Sequence, residues 1–376
     1  MCNLLSSKEV LSFLIGFAIS TLLVININNN YSIKNIQLEP VKNYENIMKK
    51  NMVNSFYKNS NESYESELAD RLFNDIRVLC WVFTHPSNHK IKVPHVKKTW
   101  GHRCNKLLFM SIEKDPTNPD IIPILVPEGR SHLWNKTRLV MKYVYDNHFN
   151  DADWFMRADD DNFILMENLR YTLAQYNPET SLYIGHRFSV DYPQVREGYM
   201  AGGGHIFSKK ALKKFVTIIS PNTTLCDNND GEADDLLVGQ CLKKYAIFID
   251  ARDSKNQKQI FPVGVEEHLQ HRAADFSYWY WTNLWRNVTQ GGLDCCSDVY
   301  IGAHYVSPKE MYLLKYLVYN VHPFGLKKNI TESLPRKLSL DEIIKASDAK
   351  SFSPNFRIHE NVHNIDEDEK YTLNTA

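Results

Sequence analysis

Three aspartates in a row, Asp159-Asp160-Asp161, end the charged part of the stretch DWFMRADDDNF at residues 153–163. Adjacent like charges repel, so the cluster asks for solvent or for a counter-charge. A solvated turn or a helix cap meets that need without further chemistry. A divalent cation meets it too. Carboxylates one residue apart on an extended chain face the same side, and hard ions such as Mg²⁺ and Mn²⁺ take oxygen ligands. Two aspartates flanking one residue are a weak motif alone, so the remaining segments have to decide.

Four of them bear on the choice. YMAGGGHI at residues 199–206 sets three glycines where backbone must bend sharply or approach something closely. Glu232-Ala233-Asp234-Asp235 opens a helix ending near Cys241. Acids in a first turn complement the helix dipole, and a carboxylate there can also serve as a general base. YWYWTNLW at residues 278–285 carries five aromatics in eight positions, suited to a core or to stacking on the C–H face of a sugar. Cys295-Cys296-Ser297-Asp298 leads to Gly302-Ala303-His304-Tyr305-Val306. A lone histidine is usually structural, but beside carboxylates its imidazole is a reasonable third ligand.

The elements around these residues alternate between strand and helix. RVLCWVFT (77–84) and KLLFMSI (106–112) read as strands, with a helical stretch over 93–102 between them. DIIPILVP is interrupted by Pro123, which places it at an edge or a bulge. Residues 131–148 carry Leu133, Val140 and Val144 on one helical face. Trp154–Met156 is a strand running into the aspartates; 166–175 is helical and 182–188 strand-like. Ser208 can cap a helix through ALKKFV. Ser307-Pro308-Lys309-Glu310 is a capping box with proline at the first helical position, introducing an apolar helix expected to pack on the domain. The alternation indicates an α/β sheet, in which ligands gather at the carboxyl ends of the strands, where the aspartates lie.

Lys+Arg and Asp+Glu balance at 44 each, which excludes broad electrostatic capture of nucleic acid. Val10–Ile25 is uncharged and apolar. It reads as a signal anchor rather than a cleaved signal peptide, because the NINNNYS after it has no small-x-small cleavage site. Residues 1–9 then form a short cytoplasmic tail, 26–70 a polar stem, 71–326 the globular domain, and 327–376 a polar tail expected to lack order. Six of the seven cysteines (Cys80, Cys104, Cys226, Cys241, Cys295 and Cys296) follow the anchor, an even number suited to an oxidising compartment; their pairing does not follow from counting. Glycosylation sequons at Asn30, Asn61, Asn135, Asn222, Asn287 and Asn329 agree with that compartment.

Taken together, CWVFTHP (80–86), VKKTWGHRCNK (96–106), DADWFMRADDDNF (151–163), YMAGGGHIFSKKALKKF (199–215), DDLLVGQC (234–241), CCSD (295–298) and AHYVSPKEMYLLKYLVY (303–319) carry a resemblance. The chain resembles the core 1 β1,3-galactosyltransferases, and more distantly the Fringe-like β1,3-glycosyltransferases, over about residues 70–326. The resemblance implies a type II Golgi membrane enzyme with a lumenal GT-A domain, a Rossmann-like α/β fold. It implies inverting transfer of galactose from UDP-galactose to the 3-hydroxyl of GalNAc on Ser or Thr of glycoproteins, with Mn²⁺ (or Mg²⁺ in its place). A homodimer is implied by likeness alone.

Carried over position by position, Asp159, Asp161 and His304 would hold the metal. Thr84, Pro86, Trp100, Asp160, Gly202 and Gly203 would contact the nucleotide sugar. Asp235 would be the general base, with Asp234 beside it; Arg252, Asp253, Tyr280, Trp281 and Trp285 would meet the acceptor. Four positions depart from the family pattern: Asp234 stands for a glutamate, Arg157 for a lysine, His205 for a glycine and Ala201 for a serine. They bear on sugar identity and acceptor choice more than on fold. Two other readings stay open, a related β1,3-transferase with another donor or acceptor, and an inactive lumenal chaperone. The chaperone relative lacks the D-x-D motif that this chain keeps.

Overall fold

Val78–Phe83 (VLCWVF) is buried at all its positions and forms β1, the second-innermost parallel strand of the central sheet. Strands covered on both faces read as continuous apolar runs. In the computed structural model, which describes residues 67–189, 198–226, 229–264, 295–321 and 334–348 with a few single positions between, β1 pairs in parallel with β2 (Lys106–Ser111) and β4 (Trp154–Asp159). β3 (Ile121–Pro123) lies beyond β2 at the sheet edge, where proline's missing N–H leaves no ladder bond unmade. On the other side, β9 (His205–Ser208) runs antiparallel between β4 and β6 (Leu182–Gly185), and β10 (Ile247–Asp250) closes the order β10-β6-β9-β4-β1-β2-β3.

Alternate residues of β1 feed two cores. Val78, Cys80 and Val82 join a layer with α4 (Met166–Leu173) and Trp100. Leu79, Trp81 and Phe83 join another with Trp134, Val140, Met141 and Val144 of α3 (Leu133–His148). Before these, α1 (Glu67–Asp75) buries Leu72 in the first layer, and α2 (Val93–Thr99) ends in a single 3₁₀ turn at Gly101–Arg103 rather than continuing to residue 102. Ser208 caps α5 (Lys209–Lys214) by accepting from the Ala211 N–H. α6 (Asp234–Leu242) follows with both its acids in the first turn. Disulfides join Cys80 to Cys104, Cys226 to Cys241 and Cys295 to Cys296.

A small second sheet, order β11-β12-β5, does the long-range work. β5 (Phe163–Ile164) follows the aspartates directly, and β12 (Gly302–Ala303) pairs with it antiparallel, Ala303 opposite Phe163. β11 (Ile260–Phe261) completes it.

Two expectations about the C-terminal part change. α7 (Pro308–Tyr319) has its capping box, but buries chiefly Met311 and Tyr319, while Leu313, Tyr316 and Leu317 stay about half exposed. The tail returns to the domain. Leu338 donates its N–H to the Gln175 carbonyl, and α8 (Leu340–Asp348) buries Ile343 against the first core. The expected anchor at residues 10–25 and the stem to residue 66 lie outside the described residues; among those described, no helix is long and apolar enough to cross a membrane.

Candidate active site

β1 and β4 end side by side, with Phe83 opposite Asp159, so the carboxyl end of the sheet carries the aspartates. Asn162, fully buried, shapes their turn. Its side-chain oxygen accepts from the Asp159 N–H at 2.5 Å, and its amide donates to the Ala303 carbonyl at 3.1 Å. The indole N–H of Trp100 donates to the Asn162 carbonyl at 2.7 Å. Trp100 is itself completely buried. Expected as a nucleotide contact, it instead braces the aspartate turn from within the core.

The three aspartates divide. Asp160 turns back under the sheet end, accepting from the Thr84 hydroxyl (2.8 Å), the Asn88 amide (2.7 Å) and the Lys92 ammonium (2.9 Å). It is 6% exposed. Asp160 and Thr84, both expected at the nucleotide, latch the loop after β1, which includes half-buried Pro86 at the start of a 3₁₀ turn. Asp159, the last residue of β4, and Asp161, in the turn after it, lie toward His304. His304 Nε2 lies 3.1 Å from Asp161 and 3.6 Å from Asp159. Burial would lower the His304 pKa, but its hydrogen bond to Asp161 and the charges of both aspartates carry it above its ordinary value. Burial would raise Asp161, and His304 with Lys92 hold it below.

No three acidic, histidine or cysteine side chains form a ready-made cation cage among the described residues, since His304 is turned onto Asp161 as an ion pair. Two carboxylates and one imidazole side by side are still donors of the type Mn²⁺ takes, with Lys92 3.4 Å from Asp161 and Arg157 3.6 Å from Asp159 as competing cations.

The glycine loop approaches backbone. A Cβ on Gly202 would stand 2.4 Å from the Pro262 Cα, and one on Gly203 2.5 Å from the Phe261 carbonyl oxygen. Gly202 also has φ +59°. These glycines, expected along the donor sugar, pack closely against the backbone of β11 and Pro262, beside the Phe261 carbonyl that accepts from the His304 N–H. Gly202→Ala accordingly destabilises the domain by about 2 kcal/mol or more, read as a lower denaturant midpoint at unchanged slope.

α6 brings its two acids to the same edge. Asp234 is 4% exposed and accepts from the Thr137 hydroxyl (2.6 Å) and from Arg157 (3.1 Å). Burial raises its pKa against the pull of Arg157. Asp235 is half-buried and accepts from the Leu236 N–H at 2.8 Å through one carboxylate oxygen. Burial, followed by the neighbouring Asp234 charge, pushes its pKa up to about 7. Arg157 joins the two halves, since it also lies 3.6 Å from Asp159, with its guanidinium over the Phe83 ring and 3.5 Å from His205. Three of the four departures, Arg157, His205 and Asp234, thus meet in one buried cluster. Thr137, Lys92, Asn88 and Asn162 were not legible as site residues, because each is a single polar residue whose partner is remote in sequence.

The residues expected to meet the acceptor make the following contacts within the domain where they are described. Arg252 pairs with Asp250 at 2.6 Å, its side chain 4% exposed. Asp253 accepts from the N–H groups of Lys255 and Gln257 and so closes its own loop. Tyr280 is buried against Phe188 and His186, and Trp285 packs on the Arg187 guanidinium 3.6 Å away. Trp281 lies outside the described residues.

A mixed sheet with carboxylates gathered at its strand ends is the arrangement of a GT-A-like transferase. The Fringe-like family model matches residues 74–251. A glycoprotein-N-acetylgalactosamine 3-beta-galactosyltransferase 1 of Xenopus laevis is 35% identical over 264 residues, 69% of this chain and 71% of that protein. Chondroitin sulfate synthase 3 of Homo sapiens is 26% identical over 40% of this chain and 18% of its own length, and that of Mus musculus 25% over the same shares. The chain belongs to the glycoprotein-N-acetylgalactosamine 3-beta-galactosyltransferase family, within the Fringe-like glycosyltransferases.

Proposed function

We propose that this chain transfers galactose from UDP-galactose to the 3-hydroxyl of GalNAc linked to Ser or Thr, with inversion at the anomeric carbon. The observation that carries the reading is the half-buried Asp235 carboxylate at the start of α6, on the same sheet edge as Asp159, Asp161 and His304, with its pKa pushed up to about 7 by burial and the Asp234 charge. Asp235 takes the proton of the acceptor hydroxyl as that oxygen attacks the anomeric carbon and the bond to the β-phosphate breaks. Asp234, held by Thr137 and Arg157, keeps the start of α6 in place and raises the basicity of Asp235. Mn²⁺, with Mg²⁺ as a substitute, would be held by Asp159, Asp161 and His304 and would stabilise charge developing on the departing diphosphate. Residence in the Golgi membrane as a single-pass type II protein, with the domain lumenal and two chains associated, belongs to the same proposal and is supported by family membership.

Release of UDP from UDP-galactose by the purified domain, with Mn²⁺ and a GalNAc-α-peptide, is the expected result. A folded domain that turns over no UDP-sugar would sink the enzymatic reading and favour the chaperone. Turnover with a different sugar or acceptor would replace the substrate while keeping the chemistry.

A further inference from the structure

Among the described residues only Asn256 and Tyr305 are non-glycine residues with left-handed backbone, Tyr305 at φ 57°. Asparagine tolerates that region; a bulky aromatic there is an outlier. Such a conformation persists only where its surroundings over-determine it. Here they do, from both sides. The His304 N–H donates to the Phe261 carbonyl at 3.0 Å, tying the chain to β11, and the Val306 N–H donates to the Asp161 carbonyl at 2.8 Å, tying it to the aspartate turn. Tyr305 is the single residue that must turn the chain between these anchors.

Burial of the ring does not offset the strain, since Tyr305 is 60% exposed. The ring instead lies along the His304 imidazole, centroids 4.1 Å apart and planes 21° from parallel. Through its Nε2 that imidazole reaches Asp161 and Asp159. We infer that Tyr305 is a positioning residue whose backbone twist aims His304 at the two aspartates and whose ring keeps the imidazole from swinging into solvent. The strain is kept for cation binding, at the expense of stability. The inference rests on the reading of Asp159, Asp161 and His304 as cation ligands.

Four variants separate backbone from ring. Tyr305→Gly removes both strain and ring, Tyr305→Asn eases the strain without the ring, Tyr305→Ala keeps the strain alone, and Tyr305→Phe keeps both. Each is read by its thermal midpoint without added cation and by Mn²⁺ affinity from the electron paramagnetic resonance of free Mn²⁺. Tyr305→Gly is expected to raise the midpoint by about 2 to 4 °C and weaken Mn²⁺ affinity about tenfold. Tyr305→Asn moves both in the same directions by less, Tyr305→Ala gains no stability and still loses affinity, and Tyr305→Phe matches the parent. A Tyr305→Gly chain that binds Mn²⁺ as the parent does, or gains no stability, overturns the inference. A parent that binds no Mn²⁺ overturns the cation site itself, a result distinguishable from the first.

Discussion

Asp235→Asn lowers galactose transfer by about 10²- to 10⁴-fold while leaving Mn²⁺-dependent UDP binding near that of the parent. The substitution keeps the size and the Leu236 N–H contact, and removes only the capacity to take a proton. Asp234, adjacent in sequence, is a poor stand-in, because its carboxylate is buried and one of its oxygens is engaged by both Thr137 and Arg157. The pH profile gives a second handle. Burial and the Asp234 charge place the Asp235 pKa at about 7, above the ordinary carboxylate value. Only the ionised form accepts a proton, so the parent rate rises as pH climbs through about 7 and falls as Asp235 protonates below it. The asparagine variant lacks that limb. Asp161→Ala provides the contrast, losing both UDP binding and transfer, because Asp161 faces His304 rather than the acceptor side. Near-normal transfer by Asp235→Asn would remove Asp235 as the base.

Arg157→Met destabilises the domain by about 3–5 kcal/mol, the usual effect of breaking one partner out of a buried ion pair. Both side chains of the Arg157–Asp234 pair are at most 10% exposed, and the guanidinium also faces Asp159. Without it the buried Asp234 carboxylate keeps only the Thr137 hydroxyl and the Asp235 N–H, and it takes up a proton. The family pattern has lysine and glutamate at these positions, so the longer cation here meets the shorter acid. Arg157→Lys and Asp234→Glu are each expected to weaken the domain and slow transfer, and the double variant to recover part of both. A coupling of about 0.5–3 kcal/mol in a double-mutant cycle, measured by denaturant unfolding, is the expected outcome. Strictly additive effects would show that the two positions do not answer one another, whatever the 3.1 Å between them.

The sequence by itself determined what repeats locally. β1 was legible as an unbroken apolar run, the first half of β4 as Trp154–Met156, α3 as a stripe at helical spacing, and the starts of α5 and α7 as Ser208 and the Ser307–Glu310 box, because backbone periodicity and capping depend on residues a few positions apart. The aspartate cluster was legible as a problem in charge, and its place at a strand end followed from the strand before it. Only the tertiary structure decided how the cluster is used. The turn after β4 gives Asp160 to Lys92, Asn88 and Thr84, and sets Asp159 and Asp161 beside His304. The histidine arrives through the pairing of β12 with β5, a register between residues 163 and 303 that no local pattern encodes. The same holds for the glycine loop, which proved to be shaped by the backbone of β11, and for Trp100, whose aromatic ring the core claims. Side-chain type sets what a residue can do; which partner it meets depends on contacts between segments far apart in the chain, and these are settled only when the whole sheet has formed.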